Sequence, residues 1–211
     1  MWITQYKDYS HIYIMVTVIV ARYNENMDWV NELKHKTIIF NKGEPFSHNA
    51  TIQCLPNLGK EGHTFYHYIY ENYNSLDDYT FFLQGDPFDH CSDVIERINN
   101  FEKNPVNFDF LASSIHLVSL SNDELTDDNK KIYNIPNCLV YNHIFYVYNI
   151  EDFKYNFGVG GQFVVSKQKI LSNPRELYGK IVKLLSRTKM PIEGYVIERF
   201  PSLIFNDKRG V

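Results

Sequence analysis

The stretch that most constrains the fold is an aromatic, apolar run that stops abruptly in polar residues. Tyr79–Leu83 are bulky residues that favour β structure, so they predict a strand buried on both faces. Gly85 and Pro87 end the run. Four polar residues come just past its carboxyl end: Gln84, Asp86, Asp89 and His90. Because open α/β sheets bind ligands at that end, the run predicts a metal or phosphate site, although a plain Asp-Pro turn fits it equally well.

Composition and charge exclude several classes of protein. At 211 residues, with 44% hydrophobic and 22% charged residues, the chain is typical of a single globular domain over residues 1–211, which could be the N-terminal part of a larger protein. A net charge of −4 without a basic run argues against a nucleic-acid partner. The sequence has no apolar segment near the roughly 20 residues that a membrane span needs. Its three widely spaced cysteines form no disulfide framework, so we expect a reducing compartment such as the cytoplasm, that of a host if the protein is viral.

Strands and helices alternate along the chain. Apolar strands are predicted over residues 14–20 and 37–41, joined by a helix that starts at Asn24 or Asn26 and runs to about Lys34. Such a βαβ unit implies parallel pairing. Further strands are predicted over residues 50–55, 79–83, 108–114 and 162–166, and further helices over residues 62–73, 92–101, 173–185 and 192–200. We therefore expect an α/β fold with a mainly parallel central sheet of about six strands flanked by helices.

The remaining segments give weaker predictions. Residues 116–137 are polar and irregular, which predicts a surface loop. Residues 138–157 are strongly aromatic, and their pattern does not distinguish strand from loop.

Three loops should converge at the carboxyl edge of this sheet. They are Arg22 to Glu25, Gln84 to His90 and Gly158 to Gln162. None contains a P-loop or a GxSxG motif, so nothing indicates an NTPase or an α/β-hydrolase. A cleft with an isolated carboxylate suits a divalent cation that carries a phosphorylated ligand, because hard cations share their oxygen ligands with substrate phosphates.

A pair of histidines offers an alternative. His63 and His67 are four residues apart in a predicted helix and therefore share a face. With His90 they would make a zinc site, although the glutamate of the metalloprotease motif is absent between them. A structural role for the pair is the competing interpretation.

Several short motifs together carry a resemblance to a known family. They are Ala21-Arg-Tyr-Asn-Glu25, Asn41-Lys-Gly43, Leu55-Pro-Asn-Leu-Gly-Lys-Glu-Gly-His63, Phe82-Leu-Gln-Gly85 and Gln162-Phe-Val-Val-Ser166. The chain resembles the glycosyltransferase-like family known as domain of unknown function 3431 over about residues 14–205. Its opening strand and the position of Asp86 are also similar to GT-A glycosyltransferases, where the Asp-x-Asp motif lies. The resemblance implies a GT-A-like (Rossmann-like) domain that transfers a hexose or deoxyhexose from a UDP-sugar donor, such as UDP-glucose, to a glycan acceptor with Mn²⁺ or Mg²⁺.

The resemblance also implies roles for individual residues. The donor would contact Ala21, Arg22, Tyr23, Asn57, His63, Gln84, Gly85, Gly161 and Gln162. The metal would be held by Asp86, with Asp89 or His90 as further ligands. Glu193, Glu198 and Asp207 are candidates for the catalytic base of an inverting mechanism, and the sequence does not rank them.

One departure from the family pattern favours a competing function. Gln84 stands where Asp-x-Asp has its first acid, and an amide oxygen is a weaker ligand for a hard cation than a carboxylate. The alternative is therefore a non-catalytic module that binds a glycan or a protein and has kept the fold.

Overall fold

A six-stranded sheet forms the centre of the computed structural model, which describes residues 13–122, 124–126, 132–147 and 151–206. The strands are β1 Val16–Arg22, β2 Lys36–Asn41, β3 Thr51–Cys54, β4 Tyr79–Gln84, β5 Phe108–Phe110, β6 Ile115–Ser119, β7 Glu124–Thr126, β8 Ile132–Asn134, β9 Lys154–Gly158 and β10 Phe163–Ser166. The helices are α1 Lys60–Asn72, α2 Val94–Asn100, α3 Asn137–Phe145, α4 Lys167–Leu171, α5 Arg175–Leu185, α6 Ile192–Arg199 and α7 Pro201–Phe205. Short 3-10 helices cover Asp28–Glu32 and Phe101–Lys103.

The strand order of the main sheet is β3-β2-β1-β4-β10-β5. β1 to β4 are parallel, whereas β10 is antiparallel to both β4 and β5. The predicted α/β class and the number of strands are confirmed, but the prediction of a mainly parallel sheet is wrong, because the sheet is mixed. The chain leaves β5 at the carboxyl edge, forms β6 to β9, and re-enters the sheet through β10 from that same edge. β10 therefore runs in the opposite direction.

Three local predictions also need correction. The helix expected after β1 is only the 3-10 helix Asp28–Glu32, so a short crossover joins β1 to β2. The polar segment 116–137 contains strands β6, β7 and β8 rather than only loop. The aromatic segment 138–157 contains most of α3 and the start of β9.

The buried strands separate two hydrophobic cores because successive side chains point to opposite faces. On one face, Ile19 and Phe82 pack in a cluster that includes residues of α1 and α5. On the other face, Val18 and Phe81 pack in a cluster with Trp29 and residues of α2. The sheet is thus covered on both sides, and its carboxyl edge is fixed between two packed layers. No helix of the described residues has both the length and the apolar character needed to cross a membrane.

Candidate functional site

The strand order creates a switch point between β1 and β4. From β1 the chain moves outward through β2 and β3, and it then returns to place β4 on the other side of β1. The β1–β2 connection packs with the cluster that contains Trp29, whereas α1, which leads to β4, packs on the opposite face. Open α/β sheets bind ligands at the carboxyl ends of the strands beside a switch point. We call this surface, which is formed by the loops that follow β1 and β4, the crevice.

Arg22 shapes the loop that follows β1. Its guanidinium donates hydrogen bonds to Asn41 Oδ1 at 2.6 Å and to the carbonyl oxygens of Tyr23, Glu25 and Glu44 at 3.2, 3.0 and 3.1 Å. The residue is only 8% exposed. Arg22 was predicted to contact the donor, but its guanidinium bonds to the loop itself. We therefore assign Arg22 a positioning role.

We expect Arg22→Met to lower the free energy of unfolding by about 2–4 kcal/mol, because it removes the hydrogen bonds that a buried guanidinium donates to Asn41 Oδ1 and to three carbonyl oxygens. Urea denaturation would measure this change. The control is Arg97→Met, which removes an exposed arginine paired with Asp93 at 3.0 Å and should cost less than about 1 kcal/mol. An equal loss of unfolding free energy in the two variants would contradict the positioning role of Arg22.

Glu25 links the loop after β1 to the loop after β4. Its Oε2 accepts hydrogen bonds from the backbone N–H groups of Tyr23 at 2.7 Å and Asn24 at 3.1 Å. A Cβ at Gly85 would lie only 2.5 Å from that oxygen, so Gly85 lets the carboxylate approach the backbone. Trp29 Nε1 donates to the Gly85 carbonyl at 3.1 Å on the same side. The sequence placed Glu25 in one of the converging loops but gave no sign of this contact.

Gln84 and Gln162 hold the loop Gly158 to Gln162, which we call the glycine turn, against the end of β4. The backbone N–H of Gln84 donates to Gln162 Oε1 at 3.0 Å, and Gln84 Nε2 donates to the Gly160 carbonyl at 2.9 Å. Gln162 Nε2 in turn donates to the Pro87 carbonyl at 3.1 Å. Gln162 is fully buried, so it positions the loops and does not face the crevice. These contacts, with those of Glu25, bring together the three loops that were predicted to converge.

The exposed members of the predicted site are Tyr23, Asp86 and Asp89. The Tyr23 residue is 51% exposed, and Asp86 is exposed immediately after the strand. Asp86 Oδ1 accepts one long hydrogen bond, 3.4 Å, from the backbone N–H of Phe88. His90 is half-buried and packs against Gly160, where a Cβ would lie 2.4 Å from its ring. Ala21 and Asn57 are half-buried as well.

A multidentate metal centre is not found in the described part of the chain. No group of three His, Cys, Asp or Glu side chains lies close enough there to hold an ion. Asp86 can instead act as a single carboxylate ligand for a cation whose other ligands come from a phosphorylated substrate, an arrangement typical of Mg²⁺.

Glu198 lies on the other side of the glycine turn. A Cβ at Gly161, whose φ is +62°, would lie 2.6 Å from Glu198 Cγ, so only glycine allows this approach. Lys60 Nζ lies 3.5 Å from Glu198 Oε2 and 3.9 Å from Glu61 Oε1. Burial and the neighbouring Glu61 raise the pKa of Glu198, although Lys60 opposes this effect. The result is a half-buried carboxylate that is held between Gly161 and Lys60.

Lys60 was not among the predicted site residues. It begins α1 with a φ of +52°, a left-handed conformation that is costly for a residue other than glycine. Its ammonium also lies 4.2 Å from the centre of the Tyr195 ring. The motif Leu55–His63 contained Lys60, but only the folded chain shows that it pairs with an acid 138 residues away.

The structure separates the candidate bases. Glu193 lies on the same helix as Glu198 but pairs with Arg187 at 3.0 Å, away from the glycine turn. Asp207 lies outside the described residues. Glu198 is therefore the candidate whose carboxylate adjoins the converging loops.

His63 and His67 stack on each other along α1, with His63 buried and His67 half-buried. Their rings are 5.9 Å apart and nearly parallel, and His63 Nε2 lies 3.1 Å from Ser186 Oγ. Only 4% of His63 is exposed, so this residue, predicted to contact the donor, is buried between α1 and the end of α5. Burial, with smaller contributions from Lys42 and His67, lowers the pKa of His63 to about 4.

We expect acid to destabilise the protein through His63. Its folded-state pKa of about 4 lies below the unfolded value of about 6.5, so the unfolded chain binds the proton first and stability falls between these two pH values. The loss should be on the order of 2 kcal/mol. Urea denaturation of wild type and His63→Gln at pH 7 and pH 5 would test this, since the variant should lose less stability. Equal losses in both proteins would contradict it.

Comparison with known families supports part of the resemblance described above. No curated protein matches the chain. Residues 17–112, which carry β1 to β5 and therefore Arg22, Lys60 and Asp86, match a family model. This stretch is thus similar to the family described as "Protein of unknown function (DUF3431)", a description that assigns no activity.

Proposed function

We propose that the protein is a glycosyltransferase that moves a hexose or deoxyhexose from a UDP-sugar to a glycan acceptor. The observation that carries the proposal is the switch point between β1 and β4, where Tyr23 and Asp86 are exposed on loops that buried side chains hold in place. An exposed aromatic ring and an exposed carboxylate on the two loops of a switch point suit a nucleotide whose diphosphate is carried by a cation. The resemblance to GT-A glycosyltransferases supplies the identity of the donor.

In this proposal each residue of the crevice contacts a different part of the donor. The Tyr23 ring would stack on the uracil, and Asp86 would hold Mn²⁺ or Mg²⁺, with Asp89 or His90 as additional ligands. A bound cation would stabilise the negative charge of the departing nucleoside diphosphate as a Lewis acid. Arg22, Gln84 and Gln162 would act indirectly, because their hydrogen bonds hold the loops that present Tyr23 and Asp86.

Glu198 is the proposed general base for the acceptor hydroxyl. A base works best when its pKa lies near the working pH, and burial beside Glu61 moves the pKa of Glu198 upward in that direction. Support comes from its contact with Gly161, because the neighbouring Gly160 carbonyl accepts a hydrogen bond from Gln84 at the end of β4. The ion pair with Lys60 fixes the carboxylate.

Isothermal titration calorimetry with UDP, with and without Mn²⁺, tests the proposal. We expect binding that is strengthened by the cation and weakened in Tyr23→Ala. Absence of UDP binding up to millimolar concentration under both conditions would overturn the proposal.

A non-catalytic binding module is the second candidate. It is favoured by Gln84, which replaces an acid and whose amide already donates to the Gly160 carbonyl. Slow hydrolysis of a UDP-sugar would identify an enzyme, whereas binding without turnover across a panel of donors would identify a module.

A further inference from the structure

Two of the short motifs in the sequence meet at the start of α1. Lys42, the middle residue of Asn41-Lys-Gly43, comes directly after β2. Its ammonium donates hydrogen bonds to the carbonyl oxygen of Leu58, at 2.7 Å, and to the carbonyl oxygen of Lys60. Both carbonyls belong to the motif Leu55–His63, so a side chain of one motif holds the backbone of the other.

The backbone that Lys42 holds is strained. Gly59 and Lys60 are both left-handed, with φ of +60° and +52°. Glycine tolerates this conformation, whereas a lysine keeps it only where the surrounding structure imposes it. The backbone N–H groups of the two residues donate to the carbonyl oxygens of Thr188 and Lys189, at 2.9 and 3.3 Å. The turn is therefore fixed from two sides, by the loop after α5 and by Lys42.

The strained conformation places the Lys60 side chain against the proposed base. Lys60 Nζ lies 3.5 Å from Glu198 Oε2 and 3.9 Å from Glu61 Oε1. It also lies 4.2 Å from the centre of the Tyr195 ring. The direction of a side chain depends on the φ and ψ angles of its own residue. Relaxation of Lys60 to an ordinary helical conformation would therefore redirect its ammonium.

The environment of Lys42 also favours a specific role. The residue is half-buried, and burial lowers the pKa of its ammonium to about 8, although Glu61 opposes this effect. Lysines at a surface usually extend their ammonium into water, and a charge that leaves water needs compensating partners. The carbonyl oxygens of Leu58 and Lys60 are those partners.

We propose that Lys42 is a positioning residue for the proposed base, because its two hydrogen bonds hold the strained start of α1 and thereby keep the Lys60 ammonium beside Glu198. This positioning does not depend on any reaction, whereas its effect on catalysis rests on the proposed function. Among the described residues, the charged groups that act on the Glu198 carboxylate are Lys60, Glu61 and Arg199. A substitution of Lys42 should therefore reach Glu198 through Lys60.

The first test is a double-mutant cycle without any ligand. Carbon-13 NMR of the side-chain carboxyls would give the pKa of Glu198 in wild type, Lys42→Met, Lys60→Met and the double variant. Lys60→Met should raise this pKa by about one unit, because it removes an opposite charge at ion-pair distance. Lys42→Met should raise it by a similar amount. The double variant should match Lys60→Met, because Lys42 has no further effect once the Lys60 ammonium is gone.

A matched control and two contrary results define this cycle. Lys36→Met removes the lysine at the other end of β2, which pairs with Asp77 at 3.3 Å, and should leave the titration of Glu198 unchanged. A folded Lys42→Met with the wild-type titration of Glu198 would overturn the proposal. An additive rise in the double variant would overturn it too, because the effect would then bypass Lys60. If Lys42→Met does not fold, Lys42→Gln, which is uncharged and one bond shorter, gives the same comparison.

The second test examines the backbone by thermal melts. Lys60→Gly and Lys60→Ala both lack the ammonium, so their difference reports the conformation of the residue. With Lys42 present, the glycine variant should have the higher Tm, although alanine is the better helix former. With Lys42→Met, this difference should shrink or reverse. A glycine variant that is no more stable than the alanine variant beside an intact Lys42 would show that the turn is not held under strain.

The catalytic consequence has its own measurement. In Lys42→Met the acid limb of the sugar-transfer rate should move to higher pH by the amount that the pKa of Glu198 rises, and the affinity for UDP should be unchanged. An unmoved acid limb in a variant whose Glu198 titration has shifted would overturn the catalytic part. If the wild type does not bind UDP at all, the proposed function fails, whereas the positioning role of Lys42 is still decided by the titrations and the melts.

Discussion

Asp86→Ala should reduce the turnover of the UDP-sugar by about 10²- to 10³-fold and abolish its dependence on Mn²⁺. The carboxylate would hold the cation that stabilises the leaving group, and a preorganised electrostatic contact of this kind typically has an effect of that size. The fold should be intact, because Asp86 is exposed and its removal leaves no buried cavity. Steady-state rates of sugar transfer or donor hydrolysis over a range of Mn²⁺ concentrations, with a thermal melt, measure both effects.

Two further substitutions accompany this experiment. Asp109→Ala removes another exposed aspartate, on the edge strand β5, and should keep wild-type rates. Asp89→Ala should raise the Mn²⁺ concentration needed for half-maximal rate if Asp89 is a further ligand. An active Asp86→Ala whose rate still rises with Mn²⁺ would show that the cation binds elsewhere.

Glu198→Gln should lower kcat by about 10²- to 10⁴-fold and leave the affinity for UDP unchanged, because a general base contributes in this range and does not contact the nucleotide. Glu193→Gln is the matched control, since it changes an acid on the same helix that pairs with Arg187. The control should keep the wild-type rate within twofold. A rate loss in Glu193→Gln with an active Glu198→Gln would reverse our assignment of the base.

The pH dependence of the rate gives an independent check on Glu198. Since its pKa lies above that of an ordinary glutamate, activity should fall on acidification at a higher pH than an exposed carboxylate would require. Lys60 favours the charged form, so Lys60→Met should raise the pKa of Glu198 and move the acid limb to higher pH. Lys60→Arg, which keeps the positive charge, should restore most of the wild-type profile.

Much of the secondary structure was predictable because it depends on local patterns. The run Tyr79–Leu83 is a buried strand, and it delivers Asp86 to the exposed edge as its apolar composition suggested. The helix predicted over residues 62–73 forms as α1 over Lys60–Asn72. Hydrophobic periodicity and secondary-structure propensity depend on residues close together in the chain, so both can be read from one sequence.

The assignment of site residues was less predictable. Arg22 and Gln162 resembled ligand-binding residues, yet both are buried and hold loops through hydrogen bonds. His63 also resembled a ligand-binding residue, but it is buried beside His67 and Ser186. A polar residue next to a predicted crevice can contact either the ligand or the backbone that forms the crevice, and only the path of the folded chain distinguishes the two.

The sequence by itself determined the α/β class, most of the strands and the exposed acid after β4. The tertiary structure decided the antiparallel direction of β10, the pairing of Lys60 with Glu198, and the position of Glu198, rather than Glu193, beside Gly161. The physical reason is the range of the interactions. Hydrophobic periodicity is set by neighbouring residues, whereas strand direction depends on the edge at which the chain re-enters the sheet, and an ion pair depends on two segments that meet only after that sheet has formed.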